Sequence, residues 1–172
     1  MFFLDASHFV LAIFVGYLWS FSRIFVKSPS GRQRYSVLGA LNAITHELVT
    51  VTTDAYINAK SIIEMLDKLV AKYGSQPITV VLDNAHYQRC KPVMDHAIEK
   101  GVELLFLPPH SPNLNLIERL WKYVKNECLY SKYYDQVSSF KNAINGCLTN
   151  IESKSEIKSL MTLKFQVLKN AS

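Results

Sequence analysis

Long apolar runs are missing from this sequence. The most membrane-like stretch, Phe9 to Trp19, is eleven residues, against the roughly 20 that a spanning helix needs. Only Asp5, and no Lys or Arg, precedes it, so the basic start of a secretory signal is missing too. The run reads instead as buried strand. Cysteine is scarce: Cys90, Cys128 and Cys147 include no close pair. That pattern suits neither a disulfide framework nor a zinc site and points to a reducing compartment, with the three thiols as small core residues. Internal repeats, low-complexity tracts and linkers are also absent, so residues 1–172 read as one domain.

What is present describes a folded, basic chain. Of 172 residues, 49% are hydrophobic, enough for a real core, and 19% are charged, too few for a solvated, disordered segment. The net charge is +5 and the pI about 9.1, compatible with a polyanionic partner without demonstrating one. Position matters more than the total. No acidic residue occurs between Asp5 and Glu47, where Arg23, Lys27, Arg32 and Arg34 all fall. A second basic stretch carries Arg119, Lys122, Lys125 and Lys132 against a single acid, Glu127. Two solvated faces would give this pattern, and so would a track for DNA phosphates. Arg32, Arg34, Arg119, Lys122 and Lys125 are the candidate backbone contacts.

Hydrophobic periodicity sets the elements. Met1 to Leu4 reads as a strand ending at Asp5, with strand material continuing to Val26 through a bend near Gly16, then a loop at Ser28 to Gly31. Tyr35–Ala40 and Leu48–Thr53 read as strands joined by a turn at Asn42 to His46. Ile57–Tyr73 has helical spacing and stops at Gly74. Ile78–Leu82 is a buried parallel strand, Cys90–Lys100 a helix closed by Gly101, and Val102–Leu107 a strand stopped by Pro108-Pro109. Leu116–Leu129, Val137–Ile151 and, more weakly, Ile157–Val167 read as helices. Antiparallel strands followed by strand–helix alternation imply a mixed sheet with helices on its faces.

Three acids stand out against this outline. Asp5 and Asp83 each follow a run of strand, and ligands of open α/β sheets collect at the carboxyl ends of strands. Two carboxylates in one crevice repel unless cations lie between them. Taken alone, Asp83-Asn84 is an ordinary turn opener. Glu118 also has an ordinary reading, as the acid of a capping box whose N-cap is Asn115. Trp121 reads as core, and His86 and His110 as loop histidines near these acids.

The residues around these acids carry a resemblance. Val81-Leu82-Asp83-Asn84-Ala85, followed by Leu107-Pro108-Pro109-His110-Ser111-Pro112-Asn113-Leu114-Asn115-Leu116-Ile117-Glu118-Arg119-Leu120-Trp121-Lys122, resembles the second and third signature blocks of DDE-superfamily transposases, in the bacterial insertion-sequence branch related to mariner elements. Thirty-four residues separate Asp83 from Glu118, the spacing of that branch. Phe2-Phe3-Leu4-Asp5 resembles the first block, and the likeness runs from Phe2 to about Leu148.

The resemblance implies an RNase H-like, five-stranded mixed sheet, three strands antiparallel and then two parallel, flanked by helices. It implies catalytic carboxylates at Asp5, Asp83 and Glu118, holding two Mg2+ or Mn2+ ions for in-line phosphoryl transfer during DNA cleavage and strand transfer. It further implies transposon ends and target DNA as partners, no membrane, and action on chromosomal or plasmid DNA in a bacterial cytoplasm. Departures from the pattern are Ala6 for Glu, Gln88 for His, His110 for Tyr and Leu116 for Pro. Relatives carry helix-turn-helix modules before the first Asp, whereas four residues precede Asp5 here. The expectation is therefore a chain without its own end-recognition region, working as a homodimer or with a separate recognition fragment. Two alternatives stay open: a catalytically silent remnant that only binds DNA or a partner subunit, and an RNase H-type nuclease of RNA–DNA hybrids.

Overall fold

The structure is a computed structural model that describes residues 1–11, 21, 32–109, 111–130, 132–151 and 154–163. The bend near Gly16, the loop at Ser28 to Gly31, Arg23, Lys27 and His110 lie outside these residues.

Among the described residues, five strands form one sheet: β1 (Phe2–Leu11), β2 (Gln33–Asn42), β3 (Leu48–Thr53), β4 (Ile78–Leu82) and β5 (Val102–Phe106), in the order β3-β2-β1-β4-β5. The β3–β2 and β2–β1 pairs are antiparallel, and the β1–β4 and β4–β5 pairs are parallel. This is the expected mixed sheet. Strand β1 departs from the sequence reading, however. It does not end at Asp5 but runs on to Leu11, paired with β2 along its whole length. Residues 6–11 alternate buried Ser7, Phe9 and Leu11 with more exposed neighbours, the period-two pattern that keeps a strand going past an acid. The edge with β4 stops earlier, at Phe3–Val81.

Alternation along the strands divides the core into two layers. Phe3, Phe9, Leu11, Tyr35, Val37, Leu41 and Val81 face one layer, with α3 (Leu116–Cys128), α4 (Val137–Thr149) and α5 (Ser155–Leu160). Phe2, Leu4, Leu38, Ala40, Val80 and Leu82 face the other, with α1 (Ala59–Tyr73) and α2 (Lys91–Glu99). Helix α1 begins with a reciprocal cap. The Asn58 side chain accepts from the Lys60 and Ser61 backbone N–H groups, and Ser61 Oγ accepts from the Asn58 N–H. Helix α2 is the crossover between parallel β4 and β5 and is followed by Gly101, whose φ of +67° ends it in the left-handed region. The α1, α2, α3 and α4 boundaries lie within about two residues of the periodicity reading, the usual uncertainty of helix ends. Helix α5 starts two residues before Ile157 and ends at Leu160, short of Val167. Cys128 and Cys147, distant in sequence, meet between α3 and α4 within hydrogen-bond reach, both as free thiols.

One contact sets how closely α3 sits on the sheet. Gly39, on β2 directly opposite Asp5, lies under the Trp121 indole and the Ile117 side chain. A Cβ there would meet Trp121 Cη2 at 2.8 Å and Ile117 Cδ1 at 2.9 Å. Trp121 and Ile117 are both fully buried, so neither can swing aside without opening the layer. Gly39→Val is expected to lower stability by about 1–3 kcal/mol through overpacking. Gly146→Ala, in α4 with nothing within 4 Å of the new Cβ, is expected to raise it by about 0.5–1 kcal/mol. Urea denaturation of both variants checks the pair, and an unchanged Gly39→Val midpoint would contradict this packing.

Candidate active site

Strand parity and register bring two acids together. Asp5 follows Phe3, and Asp83 follows Val81, by two residues each, so both carboxylates take the α3 side of the sheet. The pairs Phe2–Val80 and Phe3–Val81, extended by two, set Asp5 level with Asp83. Strand β4 has ended at Leu82 by then, and the chain turns away at Asn84, whose φ of 36° is a left-handed value that Asn tolerates. The crevice beside β1 is thereby opened. Glu118 comes from the first turn of α3, which docks over β1 and β2 through Ile117, Leu120, Trp121 and Val124. One carboxylate oxygen from each of Asp5, Asp83 and Glu118 lies within 4.8 Å of the other two.

The electrostatics follow from this crowding. At an effective dielectric of about 20, two charges at that distance repel by on the order of 3 kcal/mol. Burial, then the Glu118 carboxylate, and further the Asp83 carboxylate push Asp5 from an ordinary value of 3.8 up to about 7. The Ala6 backbone N–H and the Trp121 indole N–H oppose that rise. Burial and then Asp83 raise Glu118 as well, against the pull of Lys125. Three carboxylate oxygens are hard donors of the kind that suit Mg2+, Mn2+ or Ca2+. A cation among them would reverse the sign of the local field and stabilise all three as anions. The donor set fits such a group, because three carboxylates offer only acceptor oxygens and lie within 4.8 Å of one another. Among the described residues, the buried side-chain polar atoms without a hydrogen-bond partner are Ser7 Oγ, Asn115 Oδ1 and Trp121 Nε1. Ser7 is on the same face of β1 as Asp5, Asn115 caps the helix bearing Glu118, and the Trp121 N–H lies near Asp5 without reaching full hydrogen-bond geometry.

One groove adjoins the acids, and another lies farther along β1. The first, about 510 Å³, runs from Asp83, Asn84 and Ala85 to Pro108, Pro109 and Ser111, with Arg89 on its wall. Arg89 Nη1 donates to Asn84 Oδ1 at 3.2 Å, which sets the guanidinium beside the turn after Asp83. The second groove, about 640 Å³, lies at the far end of β1 among Val10, Arg32, Gln33, Arg34 and Tyr56. It is roughly 17 Å along the strand from Asp5, at about 3.3 Å per residue.

The other residues singled out in the sequence fall as follows. Arg32 is exposed, and Arg34 stacks on Tyr56 at 3.8 Å from the ring centroid. Lys122 is exposed and Lys125 half-buried, both one or two turns beyond Glu118 on α3. Arg119 points elsewhere, its guanidinium donating to the backbone carbonyls of Leu160 and Thr162 at 3.3 and 2.8 Å. His86 is exposed on the loop after Asp83. Trp121 is core, as its helical stripe indicates, and it also borders Asp5.

One reading needs correcting, and one residue has a role that the sequence did not reveal. Asn115 is the N-cap of α3, but its side chain makes no capping bond, so Glu118 is not half of a capping box. Gln88, noted only as a departure, is buried and its side-chain carbonyl accepts from the Ala85 N–H at 3.2 Å, closing the loop that follows Asp83. The signal available in sequence for Gln88 was its position alone, because its partner is a backbone group that no motif names.

Comparisons with known proteins bear on this geometry. A family model described as DDE superfamily endonuclease matches residues 1–141. No curated protein sequence matches the chain. Among solved structures, a pre-cleavage Mos1 transpososome superposes with a TM-score of 0.66 at 12% identity, over 93% of this chain and 51% of that one. The Mos1 mariner paired-end complex with Mn gives 0.64 at 12% identity, over 93% and 52%. The HTLV-2 integrase catalytic core domain in complex with magnesium gives 0.54 at 13% identity, over 86% and 82%. At such identities the likeness is one of fold, and that fold is RNase H-like. This chain spans about half the length of the Mos1 chains it matches. The family match, by contrast, takes in all five strands, both aspartates and Glu118: the chain belongs to the DDE superfamily endonucleases.

Proposed function

We propose that this chain is the catalytic core of a transposase, cutting and joining DNA strands by divalent-metal-dependent phosphoryl transfer. The observation that carries the reading is the convergence of Asp5, Asp83 and Glu118, from three separate elements, to within 4.8 Å. Two Mg2+ or Mn2+ ions, when bound, would activate the attacking water or DNA 3′-hydroxyl and stabilise the leaving oxygen. Asp5, Asp83 and Glu118 would hold them, and the sheet and α3 would keep the three carboxylates fixed through the reaction.

DNA is the proposed substrate, both as transposon ends and as target. Arg89 in the groove beside Asp83 is suited to a phosphate near the reacting one. Arg32 and Arg34 in the farther groove, with Lys122 and Lys125 on α3, would carry the flanking backbone. Arg119 is a weaker candidate, since its guanidinium holds the end of α5. The proposed assembly is a homodimer or a complex with a DNA-recognition fragment, acting on chromosomal or plasmid DNA in a bacterial cytoplasm.

The chain is expected to nick supercoiled plasmid in Mg2+ or Mn2+ and not in EDTA. Glu118→Gln should reduce the rate at least about 100-fold, more than loss of a ligand's supporting contact would. Equal rates in both proteins would overturn the reading. Salt-sensitive DNA binding without cleavage would mark a silent remnant, and preference for RNA–DNA hybrid would mark an RNase H-type nuclease.

A second expectation concerns pH. The folded chain raises the Asp5 carboxyl to about 7, well above its unfolded value. The metal-free fold therefore binds that proton more tightly than the unfolded chain does. This contribution to stability is fully present below about pH 4 and lost as pH rises through about 7. Asp5→Asn should raise the melting temperature in EDTA at pH 8 by about 4 °C or more and leave it nearly unchanged at pH 4. Because ligands bind metal only when deprotonated, Mn2+ affinity of the parent should climb with pH up to about 7 and flatten above it. Thermal melts from about pH 4 to 9 and calorimetric titrations from about pH 5 to 9 read both effects. A parent that gains apo stability between pH 5 and 8 would contradict the arrangement.

A further inference from the structure

Asn115 stands at the N-cap of α3 and does not cap it. An Asn in that position ordinarily accepts a bond from the helix's own first N–H groups. Here the side chain turns inward instead, with 1% of the residue exposed. Its Nδ2 donates to Asp83 Oδ1 at 2.9 Å and to the Leu4 carbonyl at 3.3 Å. Leu4 immediately precedes Asp5, and Asn115 itself lies one helical turn before Glu118. One amide group therefore touches, or belongs to, each of the three elements that carry the acids.

We propose that Asn115 is a positioning residue for the carboxylate cluster. Its amide fixes the rotation of the Asp83 carboxyl and the spacing of β1, β4 and α3, so that all three acids present oxygens to a common cation. This inference rests on the reading of the trio as a cation site. The donor is what matters, not the volume. A leucine at 115 would fill nearly the same space and remove the buried, unpartnered Oδ1, but it would leave Asp83 free to rotate under repulsion from Asp5 and Glu118. A carboxylate held by one donated bond keeps its remaining lone pairs directed, which is how partners behind a metal ligand raise affinity.

The test measures Mn2+ binding to the full chain without DNA, by calorimetry and by the paramagnetic resonance signal of free Mn2+, beside melting temperatures in EDTA. Asn115→Leu and Asn115→Ala are compared with the parent, with Asp83→Asn and with Ile144→Ala. The last removes core volume from α4, away from the acids. Reading both Asn115 variants keeps the comparison intact should the larger side chain fail to pack. The expected result is a Kd for Mn2+ weakened about 10- to 100-fold in the Asn115 variants, with the Kd of Ile144→Ala unchanged although its melting temperature falls. Asn115 variants that bind Mn2+ as the parent does, while Asp83→Asn has lost binding, would overturn the positioning role and leave the cation site standing. Parent-like binding by Asp83→Asn would instead remove the cation site itself, and this inference with it.

Discussion

Mutual repulsion among three carboxylates is the constraint around which this structure is arranged. Left free, Asp5, Asp83 and Glu118 would separate, and hydrogen bonds from the Ala6 N–H and the Asn115 amide offset only part of the cost of crowding them, since Asp5 and Glu118 both remain raised. The chain meets that cost with rigidity. Asp5 sits inside a strand that is paired with β2 along all ten residues, so its backbone cannot retreat. Asp83 follows a five-residue buried strand and is held at a left-handed turn whose loop the Gln88 side chain closes.

The third acid depends on the seating of a helix. Glu118 reaches the aspartates because α3 approaches the sheet closely, and it can do so because residue 39 has no side chain. The Trp121 indole occupies the space that a Cβ would have taken and brings a polar edge up to Asp5. Behind α3, the aromatic and aliphatic residues of α4 and α5 complete the layer, and Arg119 ties the end of α5 to the helix that bears Glu118. Helices remote from the acids thus set the position of one of them, through packing.

Much of this was readable from residue order. Runs of β-forming residues bounded by turn signals foretold β3 and β4 to the residue, and helical spacing of apolar residues foretold the helices closely, because burial on a fixed helix face leaves a period in the sequence. The proline-rich block before Glu118 identified the family with no structural help. In sequence, Asp5 reads as a strand terminus for a physical reason. A charged residue interrupts an apolar run whether the strand stops or merely loses a neighbour on one side, and here it loses only β4. Asn115 reads as a cap because capping is a local rule, while its real partners, Asp83 and Leu4, are remote in the chain. Arg119 looked like a phosphate contact because the carbonyls it satisfies belong to a helix end that periodicity placed poorly.

The sequence by itself determined the identity of the acids, the order and type of the elements, and the family, since each of these is written in short-range pattern and spacing. Only the tertiary structure decided which polar side chains stand behind those acids, how far α3 can descend, and that Asp5 holds its proton up to about 7. Those properties arise from distances between residues far apart in the chain. Through-space electrostatics and close packing depend on such distances, and no local pattern records them.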